Sequence, residues 1–123
     1  MLDAATTTRP LRVVDLFCGA CGSSSGAEAA AARLGRAVEL IGVNHWATAL
    51  DTAGRNHPGA RLIQADLHVA RPEQIVPDRW ADLLLASPTC TYFSSARGGL
   101  PVSDQQRMDP WGVVAWAASL TAP

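Results

Sequence analysis

The residues best suited to chemistry in this chain follow a short apolar run that contains an aspartate. Residues Val13 to Phe17 are β-branched or large and apolar apart from Asp15, and Gly19 and Gly22 come directly after them. This order predicts a buried strand, a tight turn and the start of a helix. In open α/β sheets, ligands bind at the carboxyl ends of such strands, where glycines let the backbone approach a ligand closely. The sequence therefore predicts a nucleotide-type pocket in the first part of the chain.

The turn after Asp15 does not match the common phosphate-binding motifs. A carboxylate here can accept hydrogen bonds from loop amides or from a cationic ligand, and it can also simply order the turn. The chain contains no lysine, so the P-loop pattern is excluded, and Cys21 interrupts the spacing G-x-G-x-x-G. The glycines alone are therefore a weak signal.

Cys18 and Cys21 form a Cys-x-x-Cys motif at the start of the predicted helix, which is where dithiol oxidoreductases carry theirs. The alternative is that both thiols are small apolar fillers beneath the turn. A zinc site would need a fourth ligand besides these two residues and Cys90, and no histidine lies at ligand spacing. We therefore expect no metal.

Polar and aromatic side chains also follow the next two predicted strands. His45 and Trp46 come after the second strand, and Asp66 comes after the third. The Trp46 ring can stack on an adenine, His45 can donate to a ribose hydroxyl, and Asp66 can hold an exocyclic amine. Each residue also has an ordinary alternative, since Trp46 can be a core residue and Asp66 a helix cap. Taken together, the three strand ends favour an adenosine site.

Cys90 begins a polar loop after the fourth predicted strand, and Arg97 lies in the same loop. A thiol near an arginine can have a lowered pKa and act as a nucleophile. The alternative is an inert thiol at the base of the loop.

The rest of the sequence alternates between strands and helices, which is typical of a parallel, doubly wound sheet. Strands are predicted at 11–17, 38–43, 61–65 and 82–86, the last as a central buried strand because its apolar run is continuous. Helices are predicted at 23–34, about 46–55 and 104–120, with a helical turn within 72–77. Residues 1–10 are expected to form a flexible leader, and residues 11–123 a single domain.

Composition and charge indicate which partners and which cellular compartment to expect. The net charge of −1 gives no global nucleic-acid signature. The cysteine count is odd and no secretory signal or membrane-length apolar run is present, so a cytoplasmic protein with reduced thiols and no membrane contact is expected. A doubly wound nucleotide fold usually has five or more strands, and this chain supplies four. Trp111 and Trp116 of the last helix need a surface to pack on, which later strands of the fold would normally provide. We therefore expect an N-terminal fragment of a longer fold.

Taken in chain order, these residues resemble the motifs of the C5-cytosine-specific DNA methyltransferases. The resemblance covers residues 11–120 and is greatest to a divergent phage- or prophage-associated branch, with restriction-modification as its setting. The segments that carry it are Asp15-Leu16-Phe17-x-Gly-x-x-Gly, Asn44-His45-Trp46, Asp66-Leu67, Ser87-Pro88-Thr89-Cys90 with Phe93-Ser94, and Asp104-Gln105-Gln106-Arg107.

The resemblance implies a Rossmann-like fold that binds S-adenosyl-L-methionine and acts on double-stranded DNA. The target cytosine is flipped out of the duplex, the Cys90 thiolate adds to its C6, C5 takes the methyl group, and loss of the C5 proton expels the thiol. Ser94 and Arg97 are expected to contact the base or the DNA. The resemblance assigns the cofactor pocket to Asp15, Phe17, Gly19, Gly22, His45, Trp46, Asp66, Leu67 and Pro88.

The chain also departs from this pattern. Cys90 lies one residue later than the usual Pro-Cys pair, His45 stands where the family has a ribose-binding acid, and Cys21 replaces a motif glycine. The glutamate that protonates the cytosine ring and the target-recognition domain have no counterpart in residues 1–123. Three hypotheses therefore stand: a methyltransferase fragment that is inactive alone and is completed by another polypeptide, a dithiol oxidoreductase, and a non-catalytic adenosyl-binding remnant.

Overall fold

The computed structural model describes residues 9–88 and 104–121. Within these residues the chain forms a four-stranded parallel sheet flanked by helices. Every strand and helix that the sequence predicts is present, with bounds that differ by at most two residues. The strands are β1 (Leu11–Leu16), β2 (Val38–Asn44), β3 (Arg61–Gln64) and β4 (Leu83–Ala86), and the helices are α1 (Gly22–Arg33), α2 (Ala47–Asn56), α3 (Pro72–Ile75) and α4 (Asp104–Ser119).

The strand order is β3-β2-β1-β4, with every neighbouring pair parallel. The register places Asp15 of β1 beside Gly42 of β2 and beside Leu85 of β4. The chain moves outward from β1 through β2 to β3, and β4 then returns to the other side of β1. The order therefore reverses between β1 and β4, and in open α/β sheets this switch point is where ligands bind at the carboxyl ends of the strands.

Helices cover both faces of the sheet, which confirms the doubly wound architecture. Side chains along a strand alternate between faces. One face of the sheet packs against α1 and α2, because Ser24 of α1 bonds Asp15 and Gly54 of α2 approaches Leu62. The opposite face packs against α3 and α4, and its buried cluster consists of Val14, Leu16, Ile41, Val43, Ile75, Val76 and Trp116.

Two expectations from the sequence are wrong. Within the described residues β4 pairs only with β1, so it is an edge strand and not a central one, and Leu83 is 42% exposed. None of the four residues of β4 is fully buried, so the continuous apolar run predicts neither the burial of this strand nor its place in the sheet. Trp116 finds its partner surface in the core of this chain, where it is only 5% exposed, whereas Trp111 is 66% exposed.

The amino edge of the sheet is held by Arg12, the second residue of β1. The Arg12 guanidinium pairs with Asp78 at 2.6 Å and with Glu39 at 3.0 Å, and it lies 3.9 Å from the centroid of the Trp80 ring. These contacts tie β1 to β2 and to the segment before β4. In the described part of the chain no helix is long and apolar enough to cross a membrane.

Gly42 is expected to be intolerant of a side chain. A Cβ atom there would lie 2.9 Å from Leu62 Cδ2, 3.0 Å from Cys21 Sγ and 3.2 Å from Cys18 Sγ. Gly42→Ala should therefore lower the free energy of unfolding by about 1–3 kcal/mol, as overpacking of a core does. Urea denaturation followed by circular dichroism measures this change.

Gly54→Ala is the matched control, because this glycine lies inside α2 and its Cβ would make an ordinary 3.6 Å contact with Leu62. Alanine is the better helix former, so this variant should be more stable than the parent by about 0.5–1 kcal/mol. Similar effects at the two glycines would contradict the tight packing at Gly42.

Candidate functional site

The carboxyl edge of the sheet brings together the predicted site residues that the structure describes. Because all four strands are parallel, their following turns meet at this edge. These turns carry Phe17 and Gly19 after β1, His45 and Trp46 after β2, Asp66 and Leu67 after β3, and Pro88 after β4, with Asp15 and Gly22 flanking the first turn. Cys90, Ser94 and Arg97 lie outside the described residues.

The turn between β1 and α1 is tightly curled. Phe17, Gly19 and Cys21 have positive φ angles of 54°, 55° and 63°. For Phe17 and Cys21 this left-handed conformation is sterically unfavourable, and such strain concentrates at ligand-binding sites. The Cys21 amide donates to the Cys18 carbonyl at 2.8 Å and closes the turn.

The amino end of α1 has no side-chain cap. Its N-cap residue, Cys21, makes no side-chain capping bond, and no acidic residue lies in the first turn. The first backbone bond of the helix runs from the Ser25 amide to the Cys21 carbonyl at 3.2 Å. The preceding amides of the first turn have no intrahelical acceptor, so the positive end of the helix is available to an anion at this edge.

Asp15 does not face solvent, because it is only 1% exposed beneath α1. Its Oδ2 accepts a hydrogen bond of 2.6 Å from Ser24 Oγ, and its Oδ1 has no partner among the described residues. Burial raises the pKa of Asp15, and this effect outweighs the lowering by the Ser24 bond and the nearby His57. Asp15 therefore acts on the turn through Ser24, a residue that the sequence analysis did not identify.

The two cysteines of the turn pack against the sheet. Cys21 is fully buried, and both sulfur atoms lie over Gly42. Burial raises the pKa of Cys18 well above its ordinary range, and burial also raises the pKa of Cys21. Dithiol oxidoreductases need a thiol whose pKa is lowered. The geometry thus favours apolar fillers over a redox site.

The turn after β2 presents an exposed aromatic ring. Trp46 precedes α2 and is 60% exposed, so it is not a core residue. The turn itself is held by side-chain amides: Asn44 Oδ1 accepts from the His45 amide at 3.0 Å, and Gln64 Nε2 donates to the His45 carbonyl at 3.2 Å. The exposed indole that follows this turn offers a surface on which a planar ring can stack.

Asp66 closes the turn after β3 with one of its oxygens. Its Oδ1 accepts from the His68 amide at 2.9 Å and lies 2.8 Å from His68 Nδ1. The backbone bond from His68, followed by its side-chain bond, lowers the pKa of Asp66. Asp66 is therefore ionised at neutral pH and 54% of its side chain is exposed, as an acceptor for a ligand amine requires. His68 was also missed by the sequence analysis.

Polar contacts also join α1 to α2. His57 Nδ1 lies 2.8 Å from Glu28 Oε1, and His57 Nε2 lies 3.2 Å from Ser25 Oγ. The imidazole is buried and borders a cavity of about 340 Å³ that opens toward the amino ends of the strands, beside Val38 and Ala60. That cavity is separate from the predicted site. In the ranges 9–88 and 104–121, no group of three or more His, Cys, Asp or Glu side chains is arranged to hold a metal ion.

A family model described as C-5 cytosine-specific DNA methylase matches residues 11–112. This range includes all four strands and the turns at their carboxyl ends. No curated protein matches the chain.

Solved structures share the fold of this chain. A TehB-like SAM-dependent methyltransferase from Corynebacterium glutamicum is 18% identical, with a TM-score of 0.57 over 94% of this chain and 52% of that one. An S-adenosylmethionine-dependent methyltransferase from Mesorhizobium loti is 22% identical, with a TM-score of 0.58 over 95% and 44% of the two chains. SAM-bound CalS10, an amino pentose methyltransferase from Micromonospora echinaspora, is 21% identical, with a TM-score of 0.55 over 91% and 39%.

This likeness shows a Rossmann-like S-adenosylmethionine-dependent methyltransferase fold, as the sequence predicts. The chain covers 52% or less of the length of each of these three structures.

The bond between Ser24 and Asp15 gives a pH-dependent prediction. Because the folded-state pKa of Asp15 is raised, the native state holds this proton more tightly than the unfolded state does. Asp15 makes its full contribution to the free energy of unfolding below the pKa that it has in the unfolded state. This contribution is lost as pH rises through the pKa that it has in the folded state. Asp15→Asn should therefore become more stable relative to the parent as pH rises from the ordinary value of 3.8 toward neutrality. Urea unfolding of both proteins across this range tests it.

Ser24→Ala serves as the companion variant. It removes a hydrogen bond to a buried charge, so it should lower the free energy of unfolding at pH 7 by about 1.5–3 kcal/mol. The loss should shrink at acid pH, where the carboxyl group is protonated. A difference between Asp15→Asn and the parent that stays constant with pH would contradict the raised pKa.

Proposed function

The chain belongs to the C-5 cytosine-specific DNA methylase family, and we propose that its carboxyl edge binds S-adenosyl-L-methionine for methyl transfer to C5 of cytosine in double-stranded DNA. The observation that carries the proposal is the match over residues 11–112, which includes all four turns of this edge. The segments after β1, β2 and β3 that resemble family motifs lie on turns that the parallel sheet brings together, which supports the proposal.

The residues at this edge fit the cofactor. The uncapped amides of α1 suit its carboxylate, since a helix amino end favours an anion. The exposed Trp46 ring suits stacking on the adenine, and the ionised Asp66 suits the exocyclic amine. We assign the ribose contact to His45, and a place in the pocket to Phe17, Gly19, Gly22, Leu67 and Pro88. When bound, this cofactor supplies a methyl group on a sulfonium centre.

Asp15 is part of this proposal in an indirect role. Its buried carboxylate holds Ser24 in the first turn of α1, so it fixes the direction of the uncapped amides. Its unpartnered Oδ1 lies beneath the same turn, which is consistent with a site completed by a ligand. The curled turn positions the backbone, and Gly19 takes a positive φ there without strain.

We assign the nucleophile to Cys90. Pro88 follows β4, which lies next to β1 at the switch point of the sheet, and Cys90 comes two positions later in the chain. In the proposed reaction the Cys90 thiolate would add to C6 of a flipped cytosine and so make C5 nucleophilic. C5 would take the methyl group from the cofactor as the methyl–sulfur bond breaks, and the cofactor would leave as the neutral thioether. Loss of the C5 proton to water would then expel the Cys90 thiolate and restore the ring. Ser94 and Arg97 contact the base or the DNA backbone.

The resemblance assigns no residue of this chain to protonation of the cytosine ring or to recognition of the target sequence. We propose that a complementing polypeptide supplies both. The net charge of −1 fits this arrangement, because the chain has no overall positive charge with which to attract DNA.

Trp46→Ala is expected to weaken binding of S-adenosylhomocysteine by about 5- to 150-fold, because stacking of a base on an aromatic ring contributes about 1–3 kcal/mol. Isothermal titration calorimetry measures the affinity. Leu34→Ala is the control, since Leu34 is 74% exposed at the other end of α1 and should leave the affinity unchanged. A folded parent protein that releases no binding heat would contradict the proposal.

The 123-residue chain alone is not expected to methylate DNA detectably. A positioned acid typically contributes about 10²–10⁴-fold in rate, and the chain has no residue assigned to that role. Transfer of a tritiated methyl group to mixed-sequence duplex DNA tests this expectation. Incorporation that is lost in Cys90→Ser would show that the chain needs no complementing polypeptide and would confirm the nucleophile.

A further inference from the structure

We propose that His68 is a positioning residue for the cofactor site and holds the Asp66 carboxylate in place through a relay to the buried Asp109 of α4. His68 Nδ1 lies 2.8 Å from Asp66 Oδ1, and His68 Nε2 lies 2.5 Å from Asp109 Oδ1. One imidazole thus joins the turn after β3 to a helix 41 positions away in the chain. The inference rests on the proposed function, because Asp66 is the residue assigned to the adenine amine.

The two carboxylates lie in different surroundings, and this difference determines how the relay works. The Asp109 side chain is 1% exposed, whereas that of Asp66 is 54% exposed. The Oδ2 atom of Asp109 has no hydrogen-bond partner among the described residues, so His68 is the donor seen for this buried group. A buried carboxylate without a donor is more costly than an exposed one, because water can replace the lost partner only at the exposed site.

Protonation of His68 decides whether both carboxylates are held. An imidazolium donates from both nitrogens, but a neutral imidazole donates from only one. When the proton leaves, the remaining N–H stays with the buried Asp109, and Nδ1 becomes an acceptor that faces the Asp66 oxygen. Asp66 then keeps only the bond from the His68 amide, and its side chain is free to turn away.

The electrostatic surroundings extend the doubly bonded form to higher pH than an ordinary histidine would allow. Burial by itself lowers the pKa of His68, but hydrogen bonds to Asp109 and Asp66 and the charges of both carboxylates outweigh it, so the pKa is raised above 6.5. Among the described residues, Asp66 faces His68 from the end of β3 and Asp109 faces it from α4. His45, after β2, faces Asp66. The doubly bonded form is therefore present at low pH and is lost as pH rises through the His68 pKa.

The test measures binding of S-adenosylhomocysteine by calorimetry between about pH 6 and pH 9, across the range in which a histidine with a raised pKa titrates. The parent affinity should fall by about 2- to 10-fold as pH rises, which corresponds to one hydrogen bond. His68→Gln should bind more weakly at the low end and lose this pH dependence. His45→Gln should keep it, whatever the effect of that change on affinity.

A pH dependence that persists in His68→Gln, or that disappears in His45→Gln, would overturn the positioning role and leave the proposed function intact. NMR titration of the histidine rings gives a readout without ligand, in which Asp109→Asn should lower the pKa of His68. An unchanged His68 pKa would overturn the relay itself. If the folded protein binds no S-adenosylhomocysteine at any pH, the proposed function fails together with the positioning role, and the NMR titration still reports whether the relay forms.

Discussion

The site depends first on how α1 is held against the sheet, and that contact is largely polar. Only Ser24 and Ala31 of this helix are buried, and alanine side chains remove little apolar area from water. Polar contacts therefore fix its orientation: Ser24 donates to the buried Asp15, and Ser25 and Glu28 both contact His57. Since apolar contacts are not directional and hydrogen bonds are, this arrangement sets the direction of the uncapped amides more closely than an apolar interface would.

The turn between β1 and α1 also requires that residue 42 has no Cβ atom, which glycine provides. The sulfur atoms of Cys18 and Cys21 lie over this glycine, so the turn can sit directly on β2. The left-handed conformation at Phe17 and Cys21 is the strain that accompanies this close approach. A Cys-x-x-Cys motif arises here because small, soft side chains fill the space beneath a curled turn, and the raised pKa of both thiols follows from the same burial.

The sequence predicts the elements well because each strand and helix is bounded by local signals. The alanine-rich helix begins at Gly22 and the next one ends before Pro58, where proline cannot continue it. The apolar run of β4 was misleading, because it is typical of a central, buried strand, whereas β4 has one described neighbour and none of its residues is fully buried. Two other partners, Ser24 for Asp15 and Asp109 for His68, were missed because they are not sequence neighbours. The bond from His68 to Asp109 joins residues 41 positions apart, and no local periodicity encodes such a pair.

Two histidine side chains connect separate elements of the fold through hydrogen bonds. His57 joins α2 to α1, and His68 joins the turn after β3 to α4. His57 lies on the face of the sheet covered by α1 and α2, and Asp109 lies in α4 on the opposite face. The turn at Phe17 is held by contacts to α1, and the turn at Asp66 is held through His68 by α4. The two halves of the proposed pocket are therefore supported from opposite faces of the sheet. The sheet is then the rigid body that keeps their spacing, and the polar contacts on each face set the angle of the turn that they support.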